Sequence, residues 1–364
     1  MLPVLFELTL PGLAALGVAL AAIVALALLR AASLRREPPR GGKRLSLGAA
    51  LWQDKLTLAA LLAALGAAWR AGIFDGPVHL PLHSYGLAMA TAFLVAIQVA
   101  QRLAKRDGLD PERVGDLAFW IVVGALVGSR LYFIAVNWDD YFGPGATVAT
   151  PFGRIPRLLA VWEGGLVFYG GFLGAVAVSA WYMRRHRMNF LRYADALIPA
   201  VALGHFFGRL GCFGAGCCWG GVSHAHIPWL TRFPPASLAY QSFAARPNAA
   251  ELLTPDRLTT LPVHPTQLYE SFGELGLFLL LVLWVRPRRR FPGQVLATWL
   301  LCYAVLRSVV EAFRGDLERG VVAGFGVGQW TSVLIFAAGA GLWAWARRAE
   351  RAGPAAVAPR APAI

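Results

Sequence analysis

Residues 193–213 read YADALIPAVALGHFFGRLGCF, an apolar run with an arginine, Arg209, set four residues from its end. A helix that crosses a bilayer needs about 20 predominantly apolar residues, and this run has that length. A cation inside such a segment costs roughly 2.5–3.5 kcal/mol on insertion scales, so it is expected to face a polar cavity and to serve function. Two further arginines repeat the pattern, Arg130 in the run 117–137 and Arg307 in the run 293–313. A guanidinium carries five donors in a rigid fork that suits phosphate and carboxylate oxygens. Three of them converging from separate helices would make an anion site within the membrane, where the available anion is a phospholipid head group.

The rest of the chain agrees with a membrane setting. It is 57% hydrophobic and 15% charged, with a mean hydropathy of +0.55. A soluble domain carries about 25% charged residues. Nine apolar segments of spanning length recur, at 8–29, 52–72, 82–101, 117–137, 163–183, 193–213, 267–285, 293–313 and 325–346. The expected fold is therefore an all-α polytopic membrane protein of about nine transmembrane helices.

Basic residues set the expected orientation. Segments 30–44, 101–116, 184–192, 286–290 and 347–360 carry 22 Lys and Arg (6, 4, 4, 4 and 4), against 7 (1, 2, 3 and 1) in 70–80, 138–162, 219–266 and 315–324. The two groups alternate through all nine spans, which places the amino terminus outside and the carboxyl terminus in the cytoplasm. The net charge of +14 is then a topology signal and an attraction to anionic membrane lipid, with no argument for nucleic acid.

Three regions follow from this reading. Residues 1–75 form an N-terminal transmembrane hairpin, whose first run lacks the basic start and cleavage site of a signal peptide. Residues 76–347 form the membrane core, and 348–364 a Pro/Ala-rich disordered cytoplasmic tail. Within the core, 219–266 is rich in proline, has little periodicity, and reads as an irregular external arm or lid.

Five motifs carry the chemistry. His83-Ser84-Tyr85-Gly86 opens the third span, where an interfacial tyrosine is ordinarily an aromatic-belt residue. Trp162-Glu163-Gly164-Gly165 leads to Tyr169-Gly170-Gly171 at the fifth span, with Glu163 expected in the first helical turn. Its glycine pairs admit either a ligand or a neighbouring helix. Gly208-Arg209-Leu210-Gly211-Cys212-Phe213-Gly214-Ala215-Gly216-Cys217-Cys218-Trp219-Gly220 has too many glycines to favour a regular helix, and predicts an unwound segment offering N–H groups to an anion. Its three cysteines are open to a disulfide, a metal, or simple burial.

His264-Pro265-Thr266-Gln267-Leu268-Tyr269-Glu270 enters the seventh span with Thr266 as the expected N-cap. Glu270 and Glu274 share a helix face and need cations between them, which the buried arginines supply. Arg307 and Glu311 are one turn apart and Arg314 lies two turns from Arg307, so together they read as a phosphate clamp oriented by carboxylate, with a purely structural ion-pair ladder as the alternative.

In this order and topology the motifs resemble the prolipoprotein diacylglyceryl transferase family. Its members carry a Tyr-Gly entry motif, an E/Q-G-G segment, G-R-x-G-N-F, H-P-S/T-Q-L-Y-E, R-x-x-x-E-x-x-R and a late G-Q-x-x-S, here Gly328-Gln329-Trp330-Thr331-Ser332. The likeness covers about residues 76–347, a core of seven spans, and leaves the first hairpin as an addition. Tyr169 stands where the family usually has a histidine. Cys212 and Ala215 stand at two usual asparagines, and Cys217 at a glutamate.

The resemblance implies transfer of the diacylglyceryl group of phosphatidylglycerol to the lipobox cysteine of a prolipoprotein signal peptide, without cofactor or metal, in the bacterial inner membrane. Carried over position by position, it implies catalytic roles for Arg209, Arg307, Glu311, Tyr169 and Tyr85. Substrate contacts would come from Arg130, Arg209, Gly211, Gly164, Gly165, Glu270, Arg314 and Gln267. Two alternatives compete: a membrane thiol redox or metal-handling protein working through Cys212, Cys217 and Cys218, and a lipid-binding relative with altered chemistry.

Overall fold

In hydrocarbon a backbone N–H or C=O finds no water, so apolar runs satisfy these groups within a helix. The computed structural model describes residues 4–10, 78–142, 147–150, 153–156, 165, 167–225, 227–315, 321–322 and 325–351, together with helical residues at 19–21, 23, 24, 59, 62, 63, 65, 66 and 69. The chain divides into two compact units, one of residues 1–5, 83–136 and 165–364, the other of residues 6–82 and 137–164.

The first unit contains seven long helices among the described residues: α1 (Ser84–Arg106), α2 (Pro111–Val136), α4 (Phe168–Arg185), α5 (Phe190–Ala215), α7 (Thr266–Leu280), α8 (Gln294–Glu311) and α9 (Val327–Arg351). A π-helical turn, Leu281–Val285, and a short 3-10 turn extend α7 to Arg288. Five of the seven, α1, α2, α5, the extended α7 and α8, are long and apolar enough to cross a membrane. Neighbouring helices pack in the spatial order α4, α2, α1, α5, α7, α8, α9.

The second unit holds most of a two-stranded sheet, β1 (Val4–Leu10) with β2 (Val78–His83), the short helix α3 (Trp138–Phe142), and the antiparallel hairpin of β3 (Thr147–Thr150) and β4 (Gly153–Pro156). Strand β1 takes up residues 8–10, which the hydropathy reading gave to the first span. The residues explain the difference. Phe6-Glu7-Leu8-Thr9-Leu10 alternates apolar and polar with the period of a strand, and Val78-His79-Leu80 begins the same way, a pattern that a long hydropathy window averages away. The remainder of the 1–75 hairpin and of the 348–364 tail lies largely outside the described residues.

Glycines decide how closely the helices approach. Gly124 and Gly128 on α2 face Gly170 and Gly174 on α4, and a Cβ at Gly128 or Gly174 would strike the backbone of the partner helix. This is the small-xxx-small packing of membrane helices, so Gly170 serves helix contact and not ligand access. The expected unwinding after Gly208 does not occur. Helix α5 continues through Gly208, Gly211 and Gly214 to Ala215 and stops at Gly216 in the left-handed conformation. Gly211 lies against Ala88 and Tyr85 of α1, and Gly214 against Ser84, so close packing replaces the lost propensity.

Residues 219–266 form more than an irregular lid. They bury Trp219, Phe233, Ala239, Phe243, Leu253 and Val263 in a core of their own, around the short helix α6 (Leu238–Ala244) capped by Ser237. The arm is tied to the helix ends. Gly220 pairs with Arg314, and its N–H donates to the His264 carbonyl at 2.9 Å. A side chain at Gly220 would meet the carbonyls of His264 and Phe313, which is why glycine stands there. Beyond Arg314, β5 (Val321–Val322) and β6 (Phe325–Gly326) form a two-residue hairpin that leads into α9.

Candidate active site

Helices α5, α7 and α8, with Arg314 three residues past the end of α8, bring three arginines and three carboxylates into one connected network. Glu270, one turn into α7, is fully buried. Its Oε1 accepts from Arg209 Nη2 at 2.9 Å and its Oε2 from Arg307 Nη1 at 3.3 Å. Arg307 then reaches Glu311 one turn along α8, with Nη2 2.7 Å from Oε2, an ion-pair distance without hydrogen-bond alignment. Glu311 also faces Arg314, Nε to Oε2 3.9 Å. The ladder therefore runs Arg209, Glu270, Arg307, Glu311, Arg314, with charges alternating in sign.

A second branch leaves Arg209 on its own helix. His205, one turn earlier, lies 3.3 Å from Arg209 Nε through Nε2 and 2.7 Å from Glu274 Oε1 through Nδ1. Placing the proton on Nδ1 gives both ring nitrogens a partner of the right polarity, so Nδ1–H donates to Glu274 and Nε2 accepts from Arg209. Glu274, fully buried, also accepts from Trp299 Nε1 at 3.3 Å. Tyr303 stacks on Trp299 with ring centroids 5.0 Å apart, closing this side of the network. The cations expected between the two glutamates thus meet Glu270 alone, while Glu274 is held by a histidine and a tryptophan.

Such a network is costly to bury unless every charge has its partner. Here each carboxylate faces at least one cation or N–H donor, and each guanidinium keeps N–H groups beyond those its carboxylate uses. Glu311 has a further neighbour. Gly328, at the start of α9, presses its backbone against the Glu311 carboxylate, and a Cβ there would collide with it. The late glycine motif therefore lets a helix N-terminus approach a carboxylate, a favourable pairing with the helix dipole.

The remaining sequence candidates fall into two groups. Tyr85 packs on Gly211, two residues from Arg209, and Gln267 on α7 holds the backbone of the α5 end, Nε2 donating to the Cys217 carbonyl at 2.6 Å. Arg130, buried in α2, lies beside Gly165, whose φ of 84° needs glycine and whose Cβ would meet Arg130 Nη1 and Phe133. Tyr169 sits on the first turn of α4 and is 60% exposed. Glu163 and Gly164 lie outside the described residues, and the described part of this span is the helix from Phe168. Likewise Thr266 is not a cap: Pro265 holds that position, and Thr266 Oγ1 donates to the Cys218 carbonyl at 2.8 Å.

The arginine ladder, a buried Gln267 and glycines at each close approach occupy the positions of the family motifs read from the sequence. The sequence profile of prolipoprotein diacylglyceryl transferase matches residues 73–345. The chain belongs to the prolipoprotein diacylglyceryl transferase family. Relatives named phosphatidylglycerol–prolipoprotein diacylglyceryl transferase include one from Burkholderia thailandensis, 34% identical over 76% of this chain and 95% of its own length. Others come from Psychrobacter arcticus, 33% identical over 75% and 95%, and Methylibium petroleiphilum, 32% identical over 74% and 93%.

His205, Glu274, Trp299 and Tyr303 are the members of the network that motif reading passed over as functional. Helical spacing was the available signal, because His205 and Arg209 are one turn apart, as are Glu270 and Glu274 and also Trp299 and Tyr303. A cavity of about 330 Å³ lies at the opposite ends of α5 and α7, lined by Asp107, Arg192, Asp195, Arg289 and Arg290, and includes none of the network.

Proposed function

We propose that this chain transfers the diacylglyceryl group of phosphatidylglycerol to the thiol of a lipobox cysteine in the bacterial cytoplasmic membrane. The observation that carries the reading is one buried carboxylate, Glu270, shared by two guanidinium groups from different helices. Family membership and the substrates in the relatives' names support it. In the reaction a substrate thiolate attacks the glycerol carbon that bears the phosphate ester. The S–C bond forms, the C–O bond breaks, and the electron pair leaves with glycerol phosphate.

Two tasks fall to the protein. The leaving phosphate gains charge as C–O breaks, and donors fixed in a water-poor site stabilise that charge most in the transition state. Arg209 and Arg307 take this role, with Glu270 and Glu311 holding their forks, and Arg314 adds charge from the arm side. The second task is to form thiolate from a group whose ordinary pKa is about 8.5. The positive field of the arginines favours the thiolate, and Tyr85 and Tyr169 serve as hydrogen-bonding groups at the entrance. Arg130, with Gly164 and Gly165, contacts the lipid head group.

An apolar groove of about 370 Å³ between α8 and α9, lined by Val305, Ser308, Val309, Val333, Phe336 and Ala337, suits an acyl chain beside Arg307. The proposed orientation puts the 219–266 arm outside and the α1–α2, α4–α5 and α7–α8 connections in the cytoplasm, following the 22-to-7 split of basic residues. Complementation of cells depleted of their own transferase tests the function. Restored growth with lipid-modified prolipoprotein is the expected result, and unmodified prolipoprotein in cells that express the protein overturns it.

A further inference from the structure

The three cysteines at the end of α5 are unused by the proposed reaction. Cys212 lies in the last turn of the helix, and Cys217 and Cys218 follow the left-handed Gly216. None of the three is in a disulfide, all are of intermediate burial, and their sulfur atoms lie within 4.8 Å of one another. Three thiolates around a zinc ion with Zn–S near 2.3 Å stand about 3.8 Å apart, so a small inward closure completes the set.

The backbone is built to hold this arrangement. Cys218 has φ of 58°, a left-handed conformation that a cysteine adopts at a cost and that persists where surroundings enforce it. Those surroundings come from α7. Gln267 Nε2 donates to the Cys217 carbonyl and Thr266 Oγ1 to the Cys218 carbonyl, fixing both residues from a neighbouring helix. The Cys217 N–H turns back to the Cys212 carbonyl at 3.1 Å, which brings residue 217 over the helix end. Gln267 is fully buried, and its Oε1 has no hydrogen-bond partner. That leaves a polar oxygen on the residue that grips the cluster.

We propose that Cys212, Cys217 and Cys218 bind one thiophilic d10 cation, Zn2+ or Cu+, which ties the end of α5 to the start of α7. Soft thiolate ligands select these ions over Mg2+ or Ca2+. Each ligating thiol releases its proton to solvent, and the nearby Arg209 offsets the negative charge of the thiolate set. No other His, Cys, Asp or Glu joins the cluster among the described residues, so Zn2+ would keep an open fourth position and Cu+ would be three-coordinate.

The test uses the full-length protein in detergent, reduced and stripped of metal, then equilibrated with Zn2+ or, anaerobically, with Cu+. Bound metal is counted by elemental mass spectrometry. Wild type and Cys302→Ser are expected to retain about one equivalent of one of the two ions, and the Cys212→Ser/Cys217→Ser/Cys218→Ser variant less than about a tenth of that. In case the triple variant misfolds, Co2+ loading of wild type and Cys217→Ser is read by the thiolate-to-cobalt charge-transfer band, which weakens when a ligand is lost. Equal retention in wild type and the triple variant overturns the proposal. So does a Cys212–Cys217 disulfide in peptide maps of the isolated protein, or, where Zn2+ is the ion retained, a Co2+ spectrum without the thiolate band.

Discussion

Replacing Glu270 with glutamine tests the organisation of the ladder at its centre. The amide keeps the shape of the carboxylate but removes the charge that Arg209 and Arg307 share at 2.9 and 3.3 Å. It also presents an NH2 group to one of two arginines that have only donors to offer. Each charge-assisted hydrogen bond is worth about 1.5–3 kcal/mol, and breaking a buried pair costs about 3–5 kcal/mol because a charge is left uncompensated. The latter range is the better guide, since the two bonds share one carboxylate and do not add. At 1.36 kcal/mol per tenfold, complete loss of that orientation at the transition state lowers kcat by about 10²–10⁴-fold. Phosphatidylglycerol binding should not weaken in parallel, because the site gains a positive charge. Initial rates with a lipobox peptide in mixed micelles, beside gel filtration and a thermal melt, separate chemistry from unfolding. Near-wild-type kcat in a well-folded Glu270→Gln protein would refute the ladder as the means of holding the arginines.

Three further outcomes follow from the same structure. Arg307→Lys should lower transfer by about 10²–10³-fold, as for loss of one donor to a developing oxyanion, because an ammonium cannot bridge Glu270, Glu311 and phosphate; full activity would mean that charge alone suffices. Tyr169→Phe should lower turnover, at most by the roughly 10²–10⁴ of a positioned acid–base group, and an unchanged rate with an unchanged pH profile would reduce Tyr169 to packing. At the other end of the bundle, burial opposes ionisation of Asp107, but hydrogen bonds from Arg289 and Arg286 prevail and hold its pKa below the ordinary 3.8. With a depressed folded pKa, its stabilisation is complete above 3.8 and is lost as pH falls through the lower folded value. Asp107→Asn should therefore lower the melting temperature at neutral pH, and the difference from wild type should vanish in strong acid; a pH-independent difference would rule out the ion pair as its cause.

Much of this molecule is legible from the sequence because lipid leaves the backbone few options. Each of the seven long helices falls on a predicted apolar run, and arginines at 209 and 307 announce a polar interior. What the sequence hides has physical reasons. Gly208, Gly211 and Gly214 lower helix propensity, yet close packing of α5 on α1 overrides it, so the predicted unwound anion loop is regular helix. Strands β1 and β2 are short segments at the margins of apolar runs, where a spanning-length window cannot see them. Spacing puts His205 on the Arg209 face of α5, but its bond to Glu274 depends on that face meeting α7, which one helix alone does not reveal. Gly328 owes its place to Glu311, seventeen positions earlier in the chain, whose carboxylate lies against its backbone, a contact that no local sequence pattern shows.

The most direct measurement of the central claim reconstitutes the purified chain in phosphatidylglycerol vesicles with a lipobox peptide and follows both products by mass spectrometry. The account predicts a diacylglyceryl thioether on the peptide cysteine, with glycerol phosphate released in equal amount, and loss of both products in Arg209→Ala. Lipid bound but unconsumed, a peptide modified without release of glycerol phosphate, or full activity in Arg209→Ala would contradict it.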